Sequence, residues 1–235
     1  MSGSIFRFKQ FAVAQGKCAM KVNTDGVLLG AWVSARSENC ILDIGTGTGV
    51  IALMMAQKNP LANVHAIDID SDAALQAAEN FEQSNWAGRL AVSQVSLQDF
   101  EPGIKYDVII SNPPYFIDDQ KTGLHQRDIA KHSVALTYDD LLAGISGLLA
   151  VDGVAAIVIP AFNLRTFEII AQHYSLFVNQ LTEVTAVAGK SPYLVLIQLG
   201  RNNELSLKSN LIIQNAAGYF TDEYKLLTKD FYLKF

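Results

Sequence analysis

The chain has 235 residues, half of them hydrophobic, which is enough to build the core of one α/β domain with a small additional element. Two cysteines exclude a disulfide framework, and no apolar run approaches the ~20 residues that a membrane helix needs. The first ten residues contain no apolar signal-peptide core, and because so few cysteines suit a reducing compartment, we expect a cytoplasmic protein with no membrane partner.

The formal net charge of −5 is distributed unevenly along the chain. Residues 1–35 contain four basic residues and one acidic residue, a net charge of +3. Residues 190–235 contain six basic and four acidic residues, a net charge of +2. The middle of the chain, with eight basic and eighteen acidic residues, carries −10. This pattern is compatible with a polyanion that contacts the basic ends, or with ordinary solvated surface at both ends.

Residues 1–35 precede any regular pattern and are predicted to form a separate N-terminal element that covers the ligand-binding edge of residues 36–235. From residue 40 onwards, predicted strands and helices follow each other along the chain. The predicted strands are 40–44, 63–68, 89–95, 106–111, 153–160, 181–187 and 193–199. The predicted helices are 50–58, 72–84, 141–150 and 164–174, and a capping box of Thr137 and Asp140 precedes the third.

This alternation predicts an α/β fold with a mostly parallel sheet and helices on both of its faces. Only a short turn separates the last two predicted strands, so we expect them to pair antiparallel at one edge of the sheet. In a doubly wound sheet the first strand lies beside the fourth. Ligands bind at this switch point, outside the carboxyl ends of the strands.

A glycine-rich loop, in the sequence LDIGTGTGV, follows the first predicted strand and opens a helix. Gly45, Gly47 and Gly49 permit tight turns and close approach of a ligand to the backbone. Asp43 ends the strand before them, and Asp68 ends the second strand, where a carboxylate can accept hydrogen bonds from ribose hydroxyls. A phosphate-binding ATPase loop is disfavoured because no Gly-Lys-Ser/Thr follows, whereas a nicotinamide dehydrogenase remains possible at this point.

The two acidic residues of this segment favour one type of cofactor. Asp43 and Asp68 would attract cations and hydroxyl groups and would repel a pyrophosphate. S-adenosylmethionine carries a positively charged amino-acid tail and a sulfonium, so it suits the loop better than a dinucleotide does.

The sequence SNPPYF, residues 111–116, follows the fourth predicted strand and is expected to face the glycine loop across the switch point. The Asn112 side-chain oxygen and the Pro113 carbonyl can accept hydrogen bonds from the two N–H groups of a planar amine. Those bonds strengthen as positive charge develops on the nitrogen during methyl transfer. Pro114 stiffens the turn, and Tyr115 offers a ring on which a planar base can stack.

The combination of Asp43-x-Gly45-x-Gly47-x-Gly49 with Asn112-Pro113-Pro114-Tyr115 resembles the class I S-adenosylmethionine-dependent methyltransferases that methylate amino groups. The stretches FRFKQFAVAQGKCAMKVNTDGVLLGAW and LLTKDFYL are similar to the bacterial tRNA1(Val) adenine-N6 methyltransferases. The resemblance covers essentially the whole chain. It implies a Rossmann-like, seven-stranded sheet, S-adenosylmethionine as donor, and transfer to the exocyclic N6 of the adenosine that follows the anticodon, A37.

The same resemblance implies further cofactor contacts. Many relatives carry an acidic residue after the third strand that binds the cofactor adenine, but Ser96 stands at that position here. Ser96, the Leu97 backbone and Asp99 are therefore alternatives for this contact. Besides the segment 96–99, the cofactor-binding residues implied by the resemblance are Lys21, Thr24, Asp43, Gly45, Gly47, Gly49, Asp68, Ile69 and Asn112.

The tRNA substrate implies basic residues that bind phosphates. The predicted RNA contacts are Arg7, Lys9 and Lys17 in the N-terminal element and Lys121, Arg127 and Lys131 in the polar segment after the SNPPYF turn. No metal is expected, because no cluster of metal ligands is found in the sequence.

Several other functions share parts of this pattern. The glutamine-N5 methyltransferases of release factors carry the same two motifs, although they have a larger N-terminal domain. A ribosomal RNA guanine-N2 or DNA adenine methyltransferase is a further alternative. A non-catalytic RNA assembly factor that retains the cofactor pocket is an alternative of a different class.

Overall fold

The computed structural model describes residues 5–34, 40–114, 136–203 and 207–235. Within these ranges the chain forms ten strands and six α-helices. The strands are β1 (Ile5–Arg7), β2 (Ala12–Ala14), β3 (Cys40–Ile44), β4 (Asn63–Asp68), β5 (Leu90–Gln94), β6 (Tyr106–Ser111), β7 (Leu149–Pro160), β8 (Phe177–Val187), β9 (Leu194–Gly200) and β10 (Leu207–Gln214). The helices are α1 (Thr24–Trp32), α2 (Val50–Lys58), α3 (Ser71–Glu82), α4 (Tyr138–Leu148), α5 (Leu164–His173) and α6 (Asp222–Thr228).

Eight of the strands form one mixed sheet in the order β10-β8-β9-β7-β6-β3-β4-β5, and β1 and β2 form a separate hairpin. All pairs in the large sheet are parallel except those of β9, which runs antiparallel to both β7 and β8. The mostly parallel α/β fold is therefore confirmed. Strand β3 lies between β4 and β6, so the first and fourth strands of the predicted series are neighbours as expected.

Two details of the predicted sheet were wrong. The sheet has eight strands rather than seven, because β10 adds to the outer side of β8. The first four residues of β10, LKSN, are exposed, so this strand lacks the apolar pattern that marks the others. The antiparallel strand β9 lies inside the sheet rather than at its edge, consistent with its nearly continuous burial.

Helices cover both faces of the sheet, as predicted. One core packs α1, α2, α3 and α6 against one face, and a second core packs α4 and α5 against the other. Alternate residues of a strand enter opposite cores: Ile41 and Val108 lie in the first, and Leu42 and Ile109 in the second.

The N-terminal residues pack against the C-terminal segment. The Phe8 ring stacks on Phe11 at a centroid distance of 4.6 Å and on Tyr232 at 6.1 Å, and the Lys9 amide donates to the Phe231 carbonyl at 2.8 Å. Phe8 and Phe11 also belong to the core that includes α1 and α2. The basic head and tail of the chain therefore lie beside each other, while the boundary at residue 36 stays a prediction.

Helix α1 is held at both of its ends. The Asn23 side chain caps the first turn by accepting from the Gly26 amide at 2.9 Å. At the other end, the Lys58 ammonium of α2 donates to the carbonyls of Gly30 at 3.1 Å and Ala31 at 2.7 Å. These contacts fix the start of α1 next to the switch point of the sheet.

Candidate active site

A cavity of about 770 Å³ opens at the carboxyl ends of β3, β4 and β6. Its walls are the glycine loop, the ends of these strands and the segment that precedes α1. A volume in this range suits a ligand the size of a nucleoside cofactor together with part of a substrate. The predicted site residues that line it are Lys21, Gly45, Gly47, Asp68, Ile69, Ser96, Leu97, Asp99, Asn112 and Pro114.

Four predicted site residues support the cavity from outside its lining. Thr24 is the first residue of α1, and Pro113 is buried within the turn after β6. Asp43 lies beneath the glycine loop, and Gly49 lies at the end of that loop. Tyr115, Lys121, Arg127 and Lys131 lie outside the described residues, so their predicted roles stay predictions.

The three loop glycines all have positive φ angles but differ in what surrounds them. A Cβ on Gly45 or Gly47 would meet no atom within 4 Å, so the loop leaves open space for a ligand at these two positions. A Cβ on Gly49 would lie 2.5 Å from the ring of Phe81, so this glycine serves the packing of the loop against α3. The sequence pattern alone does not separate these two uses.

Asp43 is a buried carboxylate, 1% exposed, that holds the glycine loop. One oxygen accepts from the Thr46 hydroxyl at 2.6 Å and from the Ala52 amide at 3.2 Å. The other oxygen, Oδ1, has no hydrogen-bond partner. Burial raises the pKa of Asp43 from 3.8 to about 7, against the opposing effect of the two hydrogen bonds.

Asp68 ties the end of β4 to the glycine loop. Its Oδ2 accepts from the Gly47 amide at 2.8 Å and its Oδ1 from the Asp70 amide at 3.0 Å. Burial raises the pKa of Asp68, and these backbone hydrogen bonds oppose the increase. Each carboxylate oxygen retains a further lone pair, so the residue that shapes the loop can also accept from a ligand.

The segment after β5 forms the wall opposite the glycine loop. Ser96 and Asp99 are bonded to each other: the serine hydroxyl donates to the Asp99 carboxylate at 2.6 Å and accepts from the Asp99 amide at 3.2 Å. Leu97 is 7% exposed and presents an apolar surface to the cavity. Behind it, α4 approaches so closely that a Cβ on Gly144 would lie 2.6 Å from Leu97 Cδ2.

Asn112 leaves β6 at the point where β6 and β3 are joined. The neighbouring Ser111 hydroxyl donates to the Ile44 carbonyl at 3.0 Å, so both strand ends form one rigid unit. A Cβ on Gly26 would lie 3.5 Å from Asn112 Nδ2 and 3.4 Å from Asn23 Oδ1. Asn23 and Gly26 also line the cavity, so the start of α1 is part of the site.

Asn23 and Gly26 were missed by the sequence analysis. The usable signal was the dipeptide Asn23-Thr24 ahead of an apolar run, which is typical of a helix N-terminus. That signal predicts a helix start, although it does not place the start beside Asn112.

The predicted RNA contacts of the N-terminal element lie outside the cavity lining. Arg7 is exposed on β1. The Lys9 ammonium donates to the Lys229 carbonyl at the end of α6, and Lys17 forms an ion pair with Glu79 of α3. Arg7 is therefore the member of this group with the largest freedom to contact a phosphate.

Two further properties concern metals and membranes. In the described part of the chain, no group of three or more His, Cys, Asp or Glu side chains is placed to hold a metal ion. Across the same ranges, no helix is long and apolar enough to cross a bilayer.

The site fits S-adenosylmethionine by its own geometry. Open space lies above the Gly45 and Gly47 backbone, the carboxylate of Asp68 borders the cavity, and a buried acidic oxygen of Asp43 lacks a partner below the loop. These features suit hydroxyl groups and a cationic tail rather than a chain of phosphates.

The fold and the site define a class I S-adenosylmethionine-dependent methyltransferase. Residues 18–143 match the methyltransferase small domain family. A predicted O-methyltransferase from Agrobacterium tumefaciens has the same fold, with a TM-score of 0.70 over 88% of this chain and 96% of that one at 16% identity.

Two close relatives are both named tRNA1(Val) (adenine(37)-N6)-methyltransferase. The protein from Bacteroides thetaiotaomicron is 44% identical over 99% of each chain, and that from Flavobacterium psychrophilum is 40% identical over 98% of this chain and all of the other. The chain belongs to the tRNA1(Val) (adenine(37)-N6)-methyltransferase family.

Proposed function

We propose that the protein transfers a methyl group from S-adenosylmethionine to N6 of adenosine 37 in tRNA1(Val). The observation that supports it best is the position of Asn112 and Pro114 in one cavity with the glycine loop, in a chain whose full-length relatives bear that name. Because tRNA is a cytoplasmic substrate, we also propose that the protein acts in the cytoplasm.

The bound cofactor supplies an electrophilic methyl group on its sulfonium. Asn112 Nδ2 lies on the side of Gly26, which leaves the amide oxygen for the substrate amine. This oxygen and the Pro113 carbonyl would accept hydrogen bonds from the two N6–H groups and orient the nitrogen lone pair toward the methyl group. Positive charge that develops on N6 during transfer would strengthen both hydrogen bonds, so Asn112 and Pro113 would stabilise the transition state. One N6 proton then leaves to water.

The residues around the cofactor have separate proposed roles. Asp68 accepts from the ribose hydroxyls, Leu97 packs on the adenine, and Gly45 and Gly47 allow the amino-acid tail to approach the backbone. Asp43 stabilises the loop and the cationic tail, and Lys21, Thr24 and Ile69 complete the binding site. We propose that residues 1–35 cover this site and that residues 36–235 form the methyltransferase domain, consistent with the position of α1 beside Asn112.

A transfer assay tests this function directly. Purified protein and labelled S-adenosylmethionine should methylate a tRNA1(Val) transcript, and mass spectrometry of its nucleosides should detect N6-methyladenosine. A transcript in which guanosine replaces adenosine 37 should remain unlabelled. Label on a glutamine of a release factor, with none on the tRNA, would instead support the alternative that shares the same motifs.

Cofactor binding should depend on Asp68. S-adenosylhomocysteine should raise the melting temperature of the wild-type protein by mass action, and Asp68→Ala should reduce this increase because the ribose hydroxyls lose an acceptor. Thermal unfolding without ligand serves as the control, since Asp68 also holds the Gly47 amide. Stabilisation by NAD and none by S-adenosylhomocysteine would contradict the proposed cofactor.

RNA binding should depend on the basic N-terminal hairpin. Arg7→Ala combined with Lys9→Ala should raise the KM for tRNA, and the log–log salt slope of binding should become shallower by about 0.7 to 0.9 for each phosphate that the protein no longer neutralises. Lys105→Ala is the matched control, because Lys105 is an exposed cation just before β6 whose ammonium, like that of Lys9, donates to a backbone carbonyl. Its partner Gly147 belongs to α4, on the face of the sheet opposite to the core that contains Phe8 and Phe11. An unchanged slope in the double variant would show that the RNA enters over a different surface.

A further inference from the structure

A large aromatic side chain is exposed at the edge of the sheet that holds the candidate active site. Strand β7 ends at Pro160 and continues into a single 3-10 turn, Ala161–Asn163. Ala161 and Leu164 pack against the core, whereas Phe162 between them is 76% exposed. One exposed apolar residue is ordinary on a protein surface, so the case for a function depends on where this ring lies and what holds it.

The register of the sheet places Phe162 at the same edge of the sheet as Asn112 and Pro114. Strands β6 and β7 are parallel neighbours, and Ser111 is paired with Ile157. Pro114 and Pro160 each lie three residues beyond this pair, so both lie at the carboxyl ends of neighbouring parallel strands. Phe162 follows two residues later, at the same carboxyl edge of the sheet onto which the cavity opens.

The turn that carries Phe162 is anchored from both sides. The Ala161 amide donates to the Tyr193 carbonyl at 3.0 Å, at the start of β9. The Asn163 side-chain amide donates to the Tyr138 hydroxyl at 3.0 Å, and the Tyr138 ring packs edge-on against buried Phe167 at 5.2 Å. The backbone turn that carries the exposed ring is therefore held in place, so little backbone conformational entropy is lost when the ring binds a ligand.

The surroundings of this ring favour a nucleic acid. Arg165, three residues after Phe162, is exposed on the first turn of α5. Lys190 is exposed in the turn that precedes Tyr193. An exposed aromatic ring flanked by cations is the arrangement that binds single-stranded nucleic acid, since the ring stacks on a base and the cations contact its phosphates.

We propose that Phe162 is the stacking residue for a nucleotide directly adjacent to the methylated adenosine. When the target base leaves its stack to reach Asn112, the neighbouring base loses its stacking partner, and Phe162 replaces that partner. This inference rests on the proposed function, because it requires an RNA whose target base is bound at the turn after β6.

The test combines a protein series with an RNA series. The RNAs are an anticodon stem-loop with the target adenosine and two versions that lack the base on its 5′ or its 3′ side. On the intact loop, Phe162→Ala should raise the KM roughly 5- to 150-fold with a much smaller change in kcat. Phe162→Tyr should restore the wild-type KM. On one of the two abasic loops, the wild-type protein and Phe162→Ala should have the same KM.

Two controls separate this effect from a general loss of structure or function. Val151→Ala removes an equally exposed apolar side chain, 78% exposed, from the opposite end of β7 and should leave the KM unchanged. Affinity for S-adenosylhomocysteine should be the same in all variants. A wild-type KM for Phe162→Ala, or an equal increase on all three RNAs, would overturn this inference alone. If the wild-type protein methylates none of these RNAs, the proposed function fails as well.

Discussion

Replacing Asn112 with alanine should lower kcat by about 100-fold or more, while the affinity for S-adenosylhomocysteine changes much less. The expected loss is large because the amide oxygen is a fixed acceptor at the atom where positive charge develops. The join between Ser111 and Ile44 holds the residue in place, so the acceptor needs little rearrangement during the reaction. Single-turnover transfer to tRNA and calorimetry with S-adenosylhomocysteine measure the two quantities separately.

Asn112→Asp is the variant to compare with Asn112→Ala. A carboxylate keeps an acceptor oxygen at the same position, so it should retain clearly more turnover than the alanine variant. If the two variants are equally impaired, the amide acts through its N–H group or through the local structure rather than as an acceptor. Near-wild-type transfer by Asn112→Ala would contradict the proposed role altogether.

The parts of the site predicted from sequence are those in which a local pattern also fixes a position in the fold. The glycine loop and the SNPPYF turn each follow an apolar strand, and the switch-point rule brings these two strand ends together. The structure places Gly45, Gly47, Asp68, Asn112 and Pro114 around one cavity accordingly.

Contacts made by distant segments were not predictable in the same way. Gly26 adjoins Asn112 only because Asn23 caps α1 at one end and Lys58 holds its other end. The first half of strand β10 carries exposed side chains, and only Leu211 and Ile213 in its second half enter the core, so its apolar pattern is too short to predict a strand. Such features depend on tertiary packing, which has no signature in a short window of sequence.

The sequence also assigned Asp43 to the cofactor without indicating its burial. The carboxylate touches the Thr46 hydroxyl and the Ala52 amide and does not reach the cavity surface. Its first effect is therefore on the stability of the glycine loop, and any effect on the cofactor is exerted from below that loop.

Because of Asp43, the free energy of unfolding of the wild-type protein should decrease as the pH rises from about 4 to about 7. Asp43→Asn should remove this pH-dependent decrease. The pKa of the carboxyl group is 3.8 ordinarily and about 7 in the folded protein, so the folded state holds a proton that the unfolded state has lost. The stabilisation is complete below the lower value and disappears as the pH rises through the higher one. Between pH 5 and pH 7 the loss amounts to about 2 kcal/mol in the free energy of unfolding.

Urea unfolding of both proteins at several pH values between 5 and 8 measures this difference. Asparagine keeps an acceptor oxygen for the Thr46 hydroxyl and the Ala52 amide but does not titrate, so the asparagine variant should lose less stability over this interval. Asp68, whose pKa burial also raises, titrates in both proteins, and its electrostatic effect on Asp43 is part of the difference that the comparison measures. Parallel curves for the two proteins would mean that the buried Asp43 carboxyl ionises near its ordinary pKa in the folded state, with Oδ1 bonded to a group such as an internal water.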